Sequence, residues 1–134
     1  MENNPIQHYK EQSISTMTPG ELLLLLYDEL VKNLMRCGLA LDKNEFDLLE
    51  TSVEKSLDII RYLDDTLNRQ YEISKELHAL YDYFDYQLAR VKIGRNKAAQ
   101  EDVLRMVMEL RDSFRQAEKN CADEQEKKLQ GELR

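Results

Sequence analysis

The run Thr18-Pro19-Gly20-Glu21, followed at once by Leu22 to Leu26 and Tyr27-Asp28, dictates a helix start. Thr18 can accept a hydrogen bond from the free N–H of Glu21, and the Glu21 carboxylate can reach back to Thr18. Pro19 takes the one helical position where a missing N–H costs nothing. Met17 can pack on Leu22 as a staple that aims the chain entering the helix. At about 100° per residue, Leu23, Leu26, Leu30, Leu34, Cys37 and Leu41 form one seam, which Leu24, Tyr27, Val31 and Met35 widen to about half the circumference. An arc that wide requires two neighbouring helices. Leu22 and Leu25 fall on the other side, among Glu29, Lys32, Asn33 and Arg36, and are left for something else to cover.

Three further helices follow. Asn44 is expected to cap one whose seam is Phe46, Leu49, Val53, Leu57, Ile60 and Leu67. Ser74 is expected to cap the next, with Leu77, Leu80, Tyr81, Phe84, Leu88 and Val91. Gly94 can end that helix in a left-handed conformation, and Asn96 can cap a last one along Ala99, Val103, Met106, Leu110, Phe114 and Ala117. Helices at about 19–41, 45–67, 75–93 and 97–121, joined by short connections, predict an all-α fold, an antiparallel up-down four-helix bundle over 18–121. Residues 1–17 read as a mobile N-terminal cap segment, and 122–134, charged and without a seam, as a frayed tail.

Composition narrows the function. A chain of 134 residues, 42% apolar, can bury a core without staples, and two prolines and four glycines suit a mostly helical chain. The net charge of −7 argues against nucleic-acid binding, and the best basic cluster, Arg90, Lys92, Arg95 and Lys97, reads as a solvated helix end. Cys37 and Cys121 have no metal-ligand spacing and read as spectator thiols of a reducing compartment. No signal segment or spanning run is present, so the reading is cytoplasmic, without membrane insertion.

Catalytic patterns are missing. A di-iron bundle needs Glu-x-x-His pairs, but Lys75 stands three residues before His78. A phosphotransfer module would use an exposed His78, yet Tyr81 and Asp82 offer bulk and negative charge there. His8 and the serines lack an identifiable partner, so neither enzyme nor cofactor is expected. Off the seams, Leu48, Ile59 and Tyr62 share one face of the second helix, and Tyr83 and Tyr86 one face of the third. Adjacent helices would join these into one strip able to receive an amphipathic partner segment.

Tyr9, the block Ser15-Thr16-Met17-Thr18-Pro19-Gly20-Glu21-Leu22, then Leu25-Leu26-Tyr27-Asp28, Glu72-Ile73-Ser74 and Leu80-Tyr81-Asp82-Tyr83 resemble the flagellar secretion chaperone family FliS, over about residues 9 to 118. The resemblance implies a cytosolic, non-enzymatic export chaperone. It would bind the disordered C-terminal region of flagellin, prevent premature polymerisation and pass the client to the flagellar type III export apparatus. It also implies that the N-terminal segment can occupy part of the client surface, with Tyr9 and Ile14 as its apolar points and Leu22 or Leu25 as receptor. A monomer is expected, or a dimer through the client strip. The alternatives are a helical adaptor for another export client and the His78 phosphotransfer module.

Overall fold

A computed structural model describes residues 16–132. It contains four helices: α1 (Pro19–Asp42), α2 (Phe46–Asp65), α3 (Ile73–Gly94) and α4 (Lys97–Glu132). Helix α1 packs against α2 and α4, and α3 packs against the same two, so the helices form a ring in chain order. Short connections make ring neighbours antiparallel. Each helix turns a seam to the centre, where Leu30, Leu34, Val53, Ile60, Phe84, Leu88, Val103 and Val107 are sealed from solvent.

Thr18 caps α1 as expected, accepting from the Glu21 N–H at 3.2 Å. Asn96 caps α4, its Oδ1 accepting from the Ala99 N–H at 3.0 Å. The other two caps are corrected. Asn44 does not cap α2; it adopts φ 55° just beyond α1, and the next N–H, of Glu45, donates back to the Ala40 carbonyl at 2.9 Å. It therefore ends the first helix, because a short polar side chain tolerates the left-handed region. Ser74 lies inside α3, which starts one residue earlier, and its hydroxyl donates to the Tyr71 carbonyl at 2.7 Å. Gly94 stays helical, and the left-handed residue is Arg95, φ 50°. The Arg95 guanidinium lies 3.4 Å from the centroid of the Phe46 ring, a contact that offsets the cost of a non-glycine residue there.

The largest difference is at the end. Helix α4 continues to Glu132 rather than stopping near Cys121. Residues 118–130 contain no proline or glycine and are rich in Glu, Lys and Gln. A helix already nucleated by packing propagates through such residues without an apolar seam. Met35, expected on the seam of α1, is exposed. On that flank α4 approaches through Gly38 instead. Gln100 donates from Nε2 to the Leu34 carbonyl at 2.9 Å, Lys97 donates from Nζ to the Gly38 carbonyl at 3.1 Å, and a Cβ at Gly38 would lie 2.8 Å from Gln100 Nε2.

Across the centre of the ring, the hydroxyls of Tyr27 on α1 and Tyr81 on α3 lie 2.6 Å apart, both buried. Burial is the leading cause that raises both phenols above their ordinary value. The pair stays neutral, each hydroxyl serving the other in a place water does not reach. Tyr27→Phe should therefore destabilise by about 1–3 kcal/mol, because the Tyr81 hydroxyl is left buried and unpaired. The double change to phenylalanine should cost less than the two single changes added together. Urea denaturation of the four proteins measures this coupling, and additive losses would show that the pair is not a unit.

Candidate functional site

Cys37 is sealed in the core, where burial pushes its thiol up to about 11 despite a hydrogen bond with Ser56. Such a thiol is a poor nucleophile. His78 on α3 has Nδ1 2.7 Å from Asp64 Oδ1 on α2 and Nε2 3.4 Å from Asp82 Oδ2. Arg69 stands 3.6 Å from the same Asp64 carboxylate. The hydrogen bond to Asp64 leads, followed by the charges of Asp64 and Asp82, in raising the imidazole above its usual range, while burial and Arg69 oppose. Ligand atoms of Asp64, His78 and Asp82 lie within 4.8 Å of one another, close enough to surround a metal ion, but here they satisfy each other. Carboxylates facing both ring nitrogens would repel a phosphoryl group, which removes the geometric basis for phosphotransfer.

Leu48 and Tyr62 are exposed, Ile59 is half-buried, and Tyr83 and Tyr86 are exposed. The structure does not join them into one strip. On α2, Glu54 and Glu50 pair with Lys92 of α3, and Asp64 with His78, so these acids mark the flank facing α3. At about 100° per residue Leu48, Ile59 and Tyr62 fall on the opposite flank of α2, toward α1. On α3, the Tyr83 hydroxyl donates to Asp102 of α4 at 2.5 Å, with Gln87 Nε2 donating to the same carboxylate at 3.0 Å. Tyr83 therefore leans away from α2, and Tyr86 points outward. The edge between α2 and α3 is charged rather than apolar.

A different grouping takes the place of that strip. Antiparallel packing from the turn at 43–45 sets the C-terminal half of α2 beside the N-terminal half of α1, so Ile59 and Tyr62 share an edge with Leu22 and Leu25, both half-buried. The proposed cap residues Tyr9 and Ile14 lie outside the described residues. Ile93, 84% exposed, went unnoticed in the sequence, although it follows Tyr86 by seven residues and so shares its face.

Comparison with known proteins decides the family. The model for the flagellar protein FliS matches residues 2–121. The chain belongs to the FliS family. A FliS relative, the flagellar secretion chaperone of Bacillus subtilis strain 168, is 32% identical over 114 residues, covering 85% of this chain and 86% of the relative. A solved bacterial flagellar chaperone superposes with a TM-score of 0.72 over 87% of this chain and 99% of its own, at 20% identity, a likeness that carries the fold. FliS proteins are chaperones and not enzymes, in keeping with the blocked histidine and inert thiol. Among the described residues no helix is long and apolar enough to cross a membrane.

In this FliS chain His78 ties the start of α3 to the end of α2, and the tie depends on pH. Its raised value means that the charged contact stabilises fully below the unfolded value of about 6.5 and fades as pH rises through the folded one. His78→Gln should lower the melting temperature at about pH 5.5 and leave it nearly unchanged at about pH 8.5. Thermal melts of both proteins at the two pH values check this, and an equal loss at both would assign His78 a packing role alone.

Proposed function

We propose that the chain is a cytosolic export chaperone that binds the disordered C-terminal region of flagellin, keeps it from polymerising prematurely and assists its delivery to the flagellar type III export apparatus. The observation that carries this reading is the FliS match over residues 2–121, which takes in α1, α2, α3 and the first two-thirds of α4. The bundle adds a seat. Leu22, Leu25, Ile59 and Tyr62 line the α1–α2 edge, with Leu48 further along the same flank of α2. A client segment that turns helical on docking can lay one apolar face there. Each leucine-sized side chain buried gains about 1.5–3 kcal/mol, so four or five anchors exceed the roughly 2–5 kcal/mol needed to order a short segment. The α2–α3 edge suits such a client poorly. Its ion pairs, Lys92 with Glu54 and His78 with Asp64, would have to be desolvated beneath apolar side chains.

The test is isothermal titration with a peptide spanning the C-terminal region of flagellin from the same organism, with circular dichroism alongside. Saturable one-to-one binding with a gain of helix is expected. Tyr62→Asp should weaken it at least about tenfold, since a carboxylate would have to be desolvated on the edge, while Tyr86→Asp should bind like the unaltered chain. Absence of heat and of helix gain would replace flagellin with another export client of a helical adaptor. Normal binding by Tyr62→Asp would move the seat away from this edge.

A further inference from the structure

The hydrogen bond that ties His78 to Asp64 uses one ring nitrogen, and the other faces Asp82 near the solvent. His78 and Asp82 stand four residues apart on α3, one turn above the other on the same face, and Asp64 reaches the ring from the end of α2. An ionised carboxylate can only accept, so the 2.7 Å contact with Asp64 Oδ1 is donated by the Nδ1–H of His78. With the ring neutral, Nε2 then carries the lone pair, and Asp82 Oδ2 lies 3.4 Å from it. Sequence spacing hides this grouping, since Asp64 and His78 are 14 residues apart.

Each part of this geometry matches what a metal-bound imidazole requires. Donors about 2.0–2.2 Å from a tetrahedral ion lie about 3.3–3.6 Å from one another. Nε2 and Asp82 Oδ2 already stand at that separation. A histidine that binds a metal through one nitrogen gives its other N–H to a carboxylate, which fixes the ring and raises its basicity. Asp64 is that carboxylate here. Ligand atoms of all three residues lie within 4.8 Å of one another, so the charge of Asp64 also acts on an ion held by the other two. Two carboxylates against one nearby guanidinium, that of Arg69 at 3.6 Å from Asp64, leave the group negative. Asp82 is open to solvent, so water can fill the remaining coordination positions.

We propose that His78 Nε2 and Asp82, with Asp64 holding the ring, form a binding site for a divalent transition-metal ion of the zinc class. An imidazole nitrogen beside a carboxylate favours such an ion over Mg²⁺, which takes oxygen ligands and gives up its water reluctantly. The ion stands where a second ring proton would stand, between Nε2 and the Asp82 carboxylate, so the helices need not move to receive it. With two direct protein ligands the ion is held weakly and reversibly. Its effect falls on the fold. The connection 66–72 is the longest between the described helices, and an ion on α3 whose ring ligand is tied to α2 strengthens the corner which that connection spans. The α1–α2 edge takes no part, so binding of the ion does not depend on a client.

The decisive experiment is a set of thermal melts of the full chain near neutral pH, with and without about 0.2 mM ZnCl₂. Zinc should raise the melting temperature by about 3 °C, because the paired ligands exist only in the folded chain. The same concentration of MgCl₂ should leave it unchanged. His78→Gln and Asp82→Asn should each abolish the zinc shift, measured against the variant's own cooperative melt without zinc. Cys121→Ser and His8→Gln, which take away other donors the chain could offer to zinc, should retain it. Absence of a zinc shift in the unaltered chain overturns the proposal. So does an equal shift with Mg²⁺, the mark of a merely acidic surface, or a zinc shift that survives in His78→Gln or Asp82→Asn. Loss of the shift in Cys121→Ser or His8→Gln would place the ion elsewhere and overturn it as well.

Discussion

The width of the apolar arc on α1 is the constraint from which the rest of the bundle follows. A helix with a narrow stripe is satisfied by one neighbour, but an arc from Asn33 and Ala40 on one flank to Val31 and Gly38 on the other demands two. Helices α2 and α4 supply them, and neither can be moved without exposing half of the longest leucine-rich run in the chain. Helix α3 then closes the ring from the far side. Its contact with α1 is reduced to what reaches across the centre, chiefly the two phenols of Tyr27 and Tyr81. Among the described residues that pair is the one side-chain hydrogen bond between diagonal helices, so it sets the relative height of two elements that barely touch otherwise.

The α1–α4 flank shows how a close approach is fixed by something other than apolar area. Gln100 is 2% exposed, and its amide nitrogen finds a helix carbonyl that most side chains cannot reach, because Leu34 already donates and accepts within α1. The missing Cβ of Gly38 makes room for that amide. A larger residue at 38 would push α4 outward and take Gln100 from its carbonyl, leaving more buried polar atoms than its Oε1, which already lacks a protein partner. Backbone spacing here is therefore set by a hydrogen bond between helices, with Lys97 adding a second at the Gly38 carbonyl.

Much of this was legible in the sequence. Thr18 and Asn96 announce two helix starts because a side-chain oxygen before a seam has little else to do, and the seams of α2, α3 and α4 appear with their expected phase. Asn44 ends α1 instead of capping α2, and Arg95 takes the left-handed position expected of Gly94, because the left-handed residue after a helix is chosen by the tertiary turn, and a stacking partner such as Phe46 can place an arginine where glycine is the local optimum. The end of α4 was misread because propensity, not periodicity, extends it. The candidate surface failed for a different reason. Periodicity fixes the angle of Leu48, Ile59 and Tyr62 relative to the core, but not which neighbour stands on that flank. The hand of the ring decides that, and no repeat within a single helix encodes it. The clue was in the charges: Glu50, Glu54 and Asp64 on one flank of α2 match Lys92 and His78 of α3, and a reading of complementary charge between helices would have put the apolar residues on the other side.

The same asymmetry bears on how a chaperone of this build can both hold and release an apolar chain. Leu22, Leu25 and Ile59 on the α1–α2 edge are half-buried by the bundle itself, so each would offer a docking segment only part of the area of a free side chain, and each contact would be correspondingly weak. Affinity then depends on several anchors engaged together, and a client can be lifted away one anchor at a time without crossing the barrier that a single deep pocket would impose. A deep pocket would also need cavity volume in the core, which the close packing around Phe84, Leu88 and Val103 excludes. If the proposed seat is right, the shallow edge would let a bundle with a sealed core bind a long disordered segment and still give it up.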